Sequence, residues 1–543
     1  MMNHASKEKK EEKRLMLLLG IWFILSAFTP IPISAASGAI FILNGEITAE
    51  PVAGPEDDLK KIEPAPAGFS RFTDYANGYS IYVPGDSYTD VSLSPVVNVF
   101  ISSTSRMEIY YDNFYGTQAD AYQYMEYGNR FARNTRDHTV LSDQMLNING
   151  FDVHLLKWDR RKLAKIADDK NHYASIEMAK NGNEVYTILI KSSQPIANEL
   201  NIARSFTLIE RRGTPKFSKH FAHSTTLLND ETRKLYDEYF GMDSPLRWGI
   251  FEVSAPQTFE TLDPLETSVN YQFPILVRYQ SLDEHLPLHT LEQAYQRQRY
   301  LELTLQTFYQ FQDTSGVIYD ILDGKYDEYF TEYAVRLKTF GHPVLFRLNN
   351  EMNGDWCLYS PFHYSKDPEL YKALWRYVQN VFAANGVDNV LWVWNPHDLS
   401  LPDFKWNHYL MYYPGDEYVD IIGLTGYNTG TYFPGEKWRE FAAIYSELYN
   451  DYDRHFGKPF MITEFGSNSV GGDKVAWLSS MFSEIGQLSK IKIAIWWNGI
   501  DYDSKGVPGR IYLLNETPET TAAFRQGLAK FPAQLLPKAI GPR

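Results

Sequence analysis

In residues 326–354, YDEYFTEYAVRLKTFGHPVLFRLNNEMNG, a helical pattern runs into a strand and the strand runs into a carboxylate. Tyr326 to Phe340 has the spacing of an amphipathic helix. Val344 to Leu348 is a short, mostly apolar run of strand type that stops at Asn349, Asn350 and Glu351. The same rhythm extends in both directions. From about Pro245, strand-type runs fall at Trp248 to Val253, Phe273 to Tyr279, Leu305 to Phe311, Val344 to Leu348, Val390 to Trp394, Ile421 to Leu424, Phe460 to Ile462 and Ile491 to Trp497. Further helical patterns occupy Glu369 to Phe382, Trp438 to Phe456 and Lys474 to Ile485. Strand followed by helix, repeated about eight times over residues 245–535, predicts an α/β chain folded as a (β/α)8 TIM barrel. A doubly wound open sheet is the main rival, but no Gly-rich phosphate loop follows the first strand.

Upstream the rhythm is different. Residues 69–212 read as a small α+β domain. Its strands are expected at Tyr79 to Val83, Val96 to Ile101, Met107 to Tyr111, Phe151 to Trp158, Tyr173 to Ala179 and Glu184 to Ile190, with a helix near Gln118 to Arg133. Asn181-Gly182 marks a hairpin between the last two strands. This domain holds no catalytic constellation and reads as a docking or stabilising module. Residues 213–244 connect it to the barrel. Residues 37–68, rich in Ala, Pro, Gly and Glu, read as a linker. At the N-terminus a charged stretch, Lys7 to Arg14, precedes the apolar run Leu15 to Phe28 and the small residues Ser34 to Ser37. That order predicts a secretory signal over residues 1–36, cleaved near Ala36, and an extracellular protein; an uncleaved anchor associating it with membrane or cell wall is the alternative.

Composition narrows the function. Of 543 residues 44% are hydrophobic and 22% charged, a globular balance, and the net charge of −15 argues against a nucleic-acid partner. Aromatic residues reach 15%, which fits either a large core or a cleft that stacks on sugar rings. The single cysteine, Cys357, rules out an intramolecular disulfide and reads as a small buried hydrophobe. His285, His289, His342, His363 and His397 lie on separate elements without zinc-ligand spacing, so each reads as a surface or hydrogen-bonded residue; neither metal nor cofactor is expected.

In a TIM barrel chemistry sits where strands end. The fourth strand ends at Glu351 and the seventh at Glu464, both next to Asn or Gly. Breaking a glycosidic bond takes two such groups, a protonated acid for the leaving oxygen and an ionised partner at the anomeric carbon. One strand-end glutamate alone would more simply be a cap.

The block Pro343 to Trp356 resembles the acid/base segment of glycoside hydrolase family 26, the β-mannanase family. Tyr412 to Asn428 resembles its sixth-strand region and Lys458 to Ser467 its nucleophile segment, while Val390 to Asn395 and Ile493 to Asn498 fit its fifth and eighth strands. The resemblance covers about Pro245 to Pro532. It implies that Glu351 is the catalytic acid/base and Glu464 the nucleophile, in a retaining mechanism that would set the two carboxyls about 5–5.5 Å apart. Arg347 and Tyr427 would donate to Glu464, and Trp356 and Trp497 would stack on sugars. Trp496, of opposite facing to Trp497, would point away. Two positions depart from the family: Asn350 stands where the mannanases usually carry His, and Thr425 where they usually carry Asp. Both are expected close to the reacting sugar. An Asn before the acid resembles related barrels acting on glucosides or xylosides, which puts a non-mannan β-glycan slightly ahead of β-mannan. The partner implied is a polysaccharide, and oligomeric state is left open. Competing readings are a binding-only barrel, and a wall-associated scaffold in which the first domain works and the barrel is a spacer. Under the glycanase reading, a barrel deleted before about Arg212 is expected to stay active.

Overall fold

The computed structural model describes residues 38–531 apart from Gln118, residues 223–226, Phe311, Asp313 and Ser315. The signal or anchor expected over 1–36 lies outside the described residues. Two compact units result, each assembled from separated pieces of chain. One takes the chain up to Ala121 with Val140–Asp159 and Lys170–Ser218; the other takes Tyr122–Thr139, Arg160–Asp169 and everything from Lys219 onward.

The first unit is dominated by sheet. Six strands line up as Thr207–Leu208, Tyr79–Pro84, Phe69–Asp74, Leu59–Pro64, Ile40–Leu43 and Glu46–Thr48. Seven more line up as Tyr88–Asp90, Asn98–Ile101, Ser105–Asn113, Glu184–Ser192, His172–Asn181, Phe151–Arg160 and His138–Ile148. The two-residue period of a strand selects the core. Met107 and Ile109, Val153 and Leu155, Ala174, Ile176 and Met178, and Tyr186, Ile188 and Ile190 share one apolar cluster with Ile62, Phe72, Ile81 and Val83 of the other sheet. The helix Glu199–Ser205 adds Ile202 and Ala203 to the same core. The stretch expected to be a linker, 37–68, instead supplies Ile40–Leu43, Glu46–Thr48 and Leu59–Pro64. Its Pro and Gly residues obscure short strands whose Ile42, Leu59 and Ile62 are buried. The helix expected near Gln118 to Arg133 runs Ala121–Gly128 and continues as a 3-10 turn, Arg130–Arg133; all of it beyond Ala121 groups with the barrel, so a chain deleted before Arg212 would lack part of the barrel unit, against the sequence expectation of an independent barrel.

The second unit is a closed barrel of eight parallel strands in chain order: Arg247–Glu252, Ile275–Gln280, Tyr300–Leu305, Val344–Leu348, Val390–Trp394, Ile421–Asn428, Phe460–Ser467 and Ile491–Asn498. The third differs from expectation, ending at Leu305 where the sequence reading began it. The connecting segment 213–244 contains the helix Asp230–Phe240, whose first turn is capped by the Asn229 side chain accepting from Thr232 N at 2.8 Å. Leu235, Tyr239 and Phe240 of this helix join one cluster with Ile275, Tyr300 and Ile421, the first residues of their strands, and so close the end where strands begin.

The inward face of the barrel changes character with height. Val277, Leu345, Val393, Met461 and Ile495 belong to its apolar core. Two residues further along each strand the inward positions are Tyr279, Arg347, Asn395, Thr463 and Trp497. The period-two step therefore carries each strand from an apolar floor to a polar or aromatic mouth, which is where barrel chemistry resides. Among the described residues no helix is long and apolar enough to cross a membrane.

Candidate active site

Strict alternation turns Thr463 inward, and its hydroxyl lies 2.8 Å from that of Thr425 on the sixth strand. Glu464 would then face outward. It does not, because the register slips: Leu424 pairs with Ile462, but Thr425 pairs with Glu464. A bulge of this kind re-aims a side chain, and here it brings a second consecutive residue into the mouth. Three donors converge on the Glu464 carboxylate. Arg347 Nη1 and Asn350 Nδ2 each lie 3.2 Å from Oε1, and the Tyr279 hydroxyl donates to Oε2.

Arg347 is fully buried between two carboxylates. Its Nε is 2.6 Å from Glu302 Oε1 and 2.8 Å from Thr304 Oγ1, while Nη1 donates to Asn395 Oδ1 at 2.8 Å. Burial alone would lower the Arg347 pKa, but Glu302 and Glu464 together hold it above its ordinary value. Glu302 is pushed up to about 7 by burial, with the charge of Glu464 adding to the rise and Arg347 opposing it.

Glu351 sits on strained backbone. Asn349 and Glu351 have φ of 52° and 55°, a region costing a non-glycine residue about 1–3 kcal/mol. Neighbours hold the conformation: Asn349 Oδ1 accepts from Thr307 N at 2.7 Å and its Nδ2 donates to Thr307 Oγ1 at 2.9 Å, and Glu351 N donates to Asn395 O at 2.7 Å. The Glu351 carboxylate accepts from Trp356 Nε1 at 3.1 Å and stands 3.9 Å from His397 Nε2. Its pKa is pushed up to about 7, chiefly by burial, with the charge of Glu464 reinforcing the rise and His397 opposing it. The side chain still keeps 14% of its surface and Glu464 keeps 5%, so both reach the mouth.

A pH dependence follows. The acid role expected of Glu351 requires its proton, so under that role kcat/KM is expected to fall as pH rises through about 7, where Glu351 ionises. A pH–rate profile checks this; a basic limb near the ordinary carboxyl value of about 4.5 would contradict it.

Asn350 immediately precedes Glu351 in sequence and reaches Glu464 in space, and its amide is oriented. Oδ1 accepts from Gln306 Nε2 at 2.9 Å and from the Tyr359 hydroxyl at 3.1 Å, so the NH2 group faces Glu464. Trp356 is 46% exposed beside Glu351. Trp497 stacks on Phe251 with ring centres 5.2 Å apart, whereas Trp496 is fully buried and donates to Tyr512 O. Tyr427 stands edge-on to Trp497 at 6.3 Å, and among the described residues no hydrogen bond joins its hydroxyl to Glu464. The tyrosine that makes that bond is Tyr279 on the second strand, which corrects the sequence assignment. Thr425, expected near the reacting sugar, is fully buried and bonds Asn395 and Thr463, so it supports the layer beneath the carboxylates.

Sequence reasoning missed Tyr279, Glu302, Gln306 and the placement of His397. Tyr279 ended an expected strand, which was the available signal. Glu302 was hidden by the displaced third strand. Burial pushes the Cys357 thiol up, as befits an inert cysteine. No group of potential metal ligands occurs among the described residues.

A closed (β/α)8 barrel with two carboxylates at its mouth, one held up in pKa and the other wrapped in donors, has the build of a barrel glycosidase. The sequence profile of glycosyl hydrolase family 26 matches residues 293–450, and the C-terminal part of the chain carries a domain of that family. Endoglucanase H of Acetivibrio thermocellus is 34% identical over 213 residues, 38% of this chain. A mannan endo-1,4-beta-mannosidase of Bacillus subtilis is 36% identical over 143 residues, 25% of this chain. The chain spans only 23% and 34% of the lengths of these two relatives. Among solved structures, the catalytic domain of a family 26 endo-beta-1,4-mannanase from Bacillus sp. JAMB-750 aligns over 57% of this chain and 92% of its own, with a TM-score of 0.43 and 22% identity.

Proposed function

We propose that the protein is an exported endo-β-glycanase that cleaves a β-linked polysaccharide with retention of configuration. Glu464 attacks the anomeric carbon while Glu351 protonates the departing glycosidic oxygen, leaving a glycosyl ester on Glu464. Glu351, now ionised, takes a proton from water as the water displaces Glu464, which restores both groups. The observation that carries this reading is the contrast between the two carboxylates: burial raises Glu351 to about 7, while Arg347, Asn350 and Tyr279 all donate to Glu464. Two relatives named as endo-acting enzymes support internal cleavage. The charged, apolar and small-residue order from Lys7 to Ala36 supports export.

A β-glucan-type substrate is preferred to β-mannan. Gln306 and Tyr359 fix the Asn350 amide with its NH2 toward the nucleophile, so it is a donor where a sugar's 2-hydroxyl would lie beside Glu464. Glucose and mannose differ in the direction of that hydroxyl, and a buried donor left unpaired by the wrong epimer costs about 1–3 kcal/mol. The name of the Acetivibrio thermocellus relative agrees with this preference, and that of the Bacillus subtilis relative favours mannan. Incubation with barley β-glucan, galactomannan, glucomannan and xylan tests it, with the anomer of the first product followed by proton NMR. Release of β-anomers from β-glucan is expected. Activity confined to galactomannan refutes the substrate preference, and α-anomers refute retention.

A further inference from the structure

Between the strands Ser105–Asn113 and His138–Ile148 the chain leaves the sheet-rich unit, and Tyr122–Thr139 groups with the barrel instead. We propose that this segment positions the acid/base glutamate, with Tyr127 as the positioning residue; the proposal rests on the reading of Glu351 given above. The Tyr127 hydroxyl donates to Asp355 Oδ2 across 228 residues of sequence. Its ring lies 5.1 Å from that of Phe362 and carries the Arg130 guanidinium at 4.2 Å from its centre. Asp355 immediately precedes Trp356, the residue whose indole donates to Glu351. The main chain of Asp355 is held as well, its carbonyl 2.9 Å from His363 Nε2. Asp355 is thus fastened by side chain and backbone, and that fixes where the Trp356 indole can reach.

The need for such a fastening is visible in Trp356 itself. At 46% exposure it is packed on one side only, its ring edge-on to His397 at 5.0 Å, so its bond to Glu351 also depends on a rigid backbone one residue earlier. The segment that supplies Tyr127 is anchored independently: Tyr124 packs edge-on to Phe404 at 4.4 Å, and the His138 ring nitrogen Nε2 lies 2.9 Å from the Tyr319 hydroxyl. Burial, and then Asp355, push the Tyr127 hydroxyl up to about 12, so it keeps its proton and donates over any working pH.

The test uses the full chain. In Tyr127→Phe the ring packing stays and the bond to Asp355 goes. Expected are a fall in kcat/KM of about tenfold or more on substrates with poor leaving groups and little change in kcat/KM with activated aryl glycosides, because kcat/KM reports the first displacement, in which an acidic phenol needs no proton. The basic limb of the pH profile moves upward, since the Trp356 hydrogen bond favours ionised Glu351. Asp355→Asn keeps an acceptor and is expected to keep most of the activity. Hydrogen exchange gives a readout free of turnover: in Tyr127→Phe and Tyr127→Ala, peptides covering residues 351–363 exchange faster while the other barrel strands do not. Wild-type leaving-group dependence and pH profile in Tyr127→Phe, or a loss of kcat/KM uniform over all leaving groups, overturns the proposal, as does unchanged exchange over 351–363. Turnover that survives loss of Glu464 overturns the hydrolase reading instead, and faster exchange at 351–363 would still support the fastening.

Discussion

Replacing Glu464 by alanine is expected to lower kcat by about 100,000-fold while leaving the protein folded. Among the described residues the proposed nucleophile has no substitute nearby. Glu302 lies deeper, paired to Arg347 at 2.6 Å and fully buried, and in the proposed double displacement Glu351 serves the leaving oxygen. The fold survives for a reason visible in the layer beneath. Stranding a buried arginine costs about 3–5 kcal/mol, but Arg347 keeps Glu302, Thr304 and Asn395 when Glu464 is gone. Removal of the Glu464 charge also removes one of the influences that raise Glu302, so Glu302 ionises more readily and the remaining pair strengthens. Turnover on the preferred polysaccharide and a cooperative thermal unfolding trace check both halves. Activity within tenfold of the parent would remove Glu464 from the chemistry.

The second large effect belongs to Glu351, and its size depends on the substrate. With Glu351→Ala on a polysaccharide, whose leaving group is an unactivated sugar alcohol, kcat is expected to fall by roughly 1,000-fold or more, because the proposed proton donor is gone. An aryl glycoside with an acidic phenol needs no protonation, so Glu464 still forms its ester and the slow step becomes attack by water without a base. Azide needs no base. Added azide is therefore expected to restore turnover of the aryl glycoside and yield a β-glycosyl azide, with Glu464 as the displaced carboxylate. An α-azide, or no effect of azide, would contradict the double displacement.

The barrel was legible because most of its strands and the helices after them obey local periodicities. Val344–Leu348 and Val390–Trp394 stand where the sequence put them. The third strand was displaced for a physical reason. In Tyr300–Leu305 the residues toward the barrel axis include Glu302 and Thr304, whereas Leu301, Leu303 and Leu305 lie on the other face and are equally buried. A strand buried on both faces with a polar interior does not look like one when apolar runs are the guide. Glu464 was found because it ends such a run, but its inward aim comes from a bulge that only pairing with the sixth strand reveals. Tyr279 and His397 become site residues solely through partners far along the chain, Glu464 and Glu351. The strands in 37–68 were lost because each is short and becomes a strand only by pairing with a neighbour.

The discontinuous barrel unit has a consequence for biosynthesis. Tyr127 leaves the ribosome 228 residues ahead of Asp355. At about 5–20 residues per second that is an interval of roughly 10–45 s. Throughout it Tyr124, buried in the finished protein, has not yet met Phe404, the ring it packs against. The nascent chain must carry this greasy cargo unshielded, which makes the interval the stage at which chaperones have most to protect.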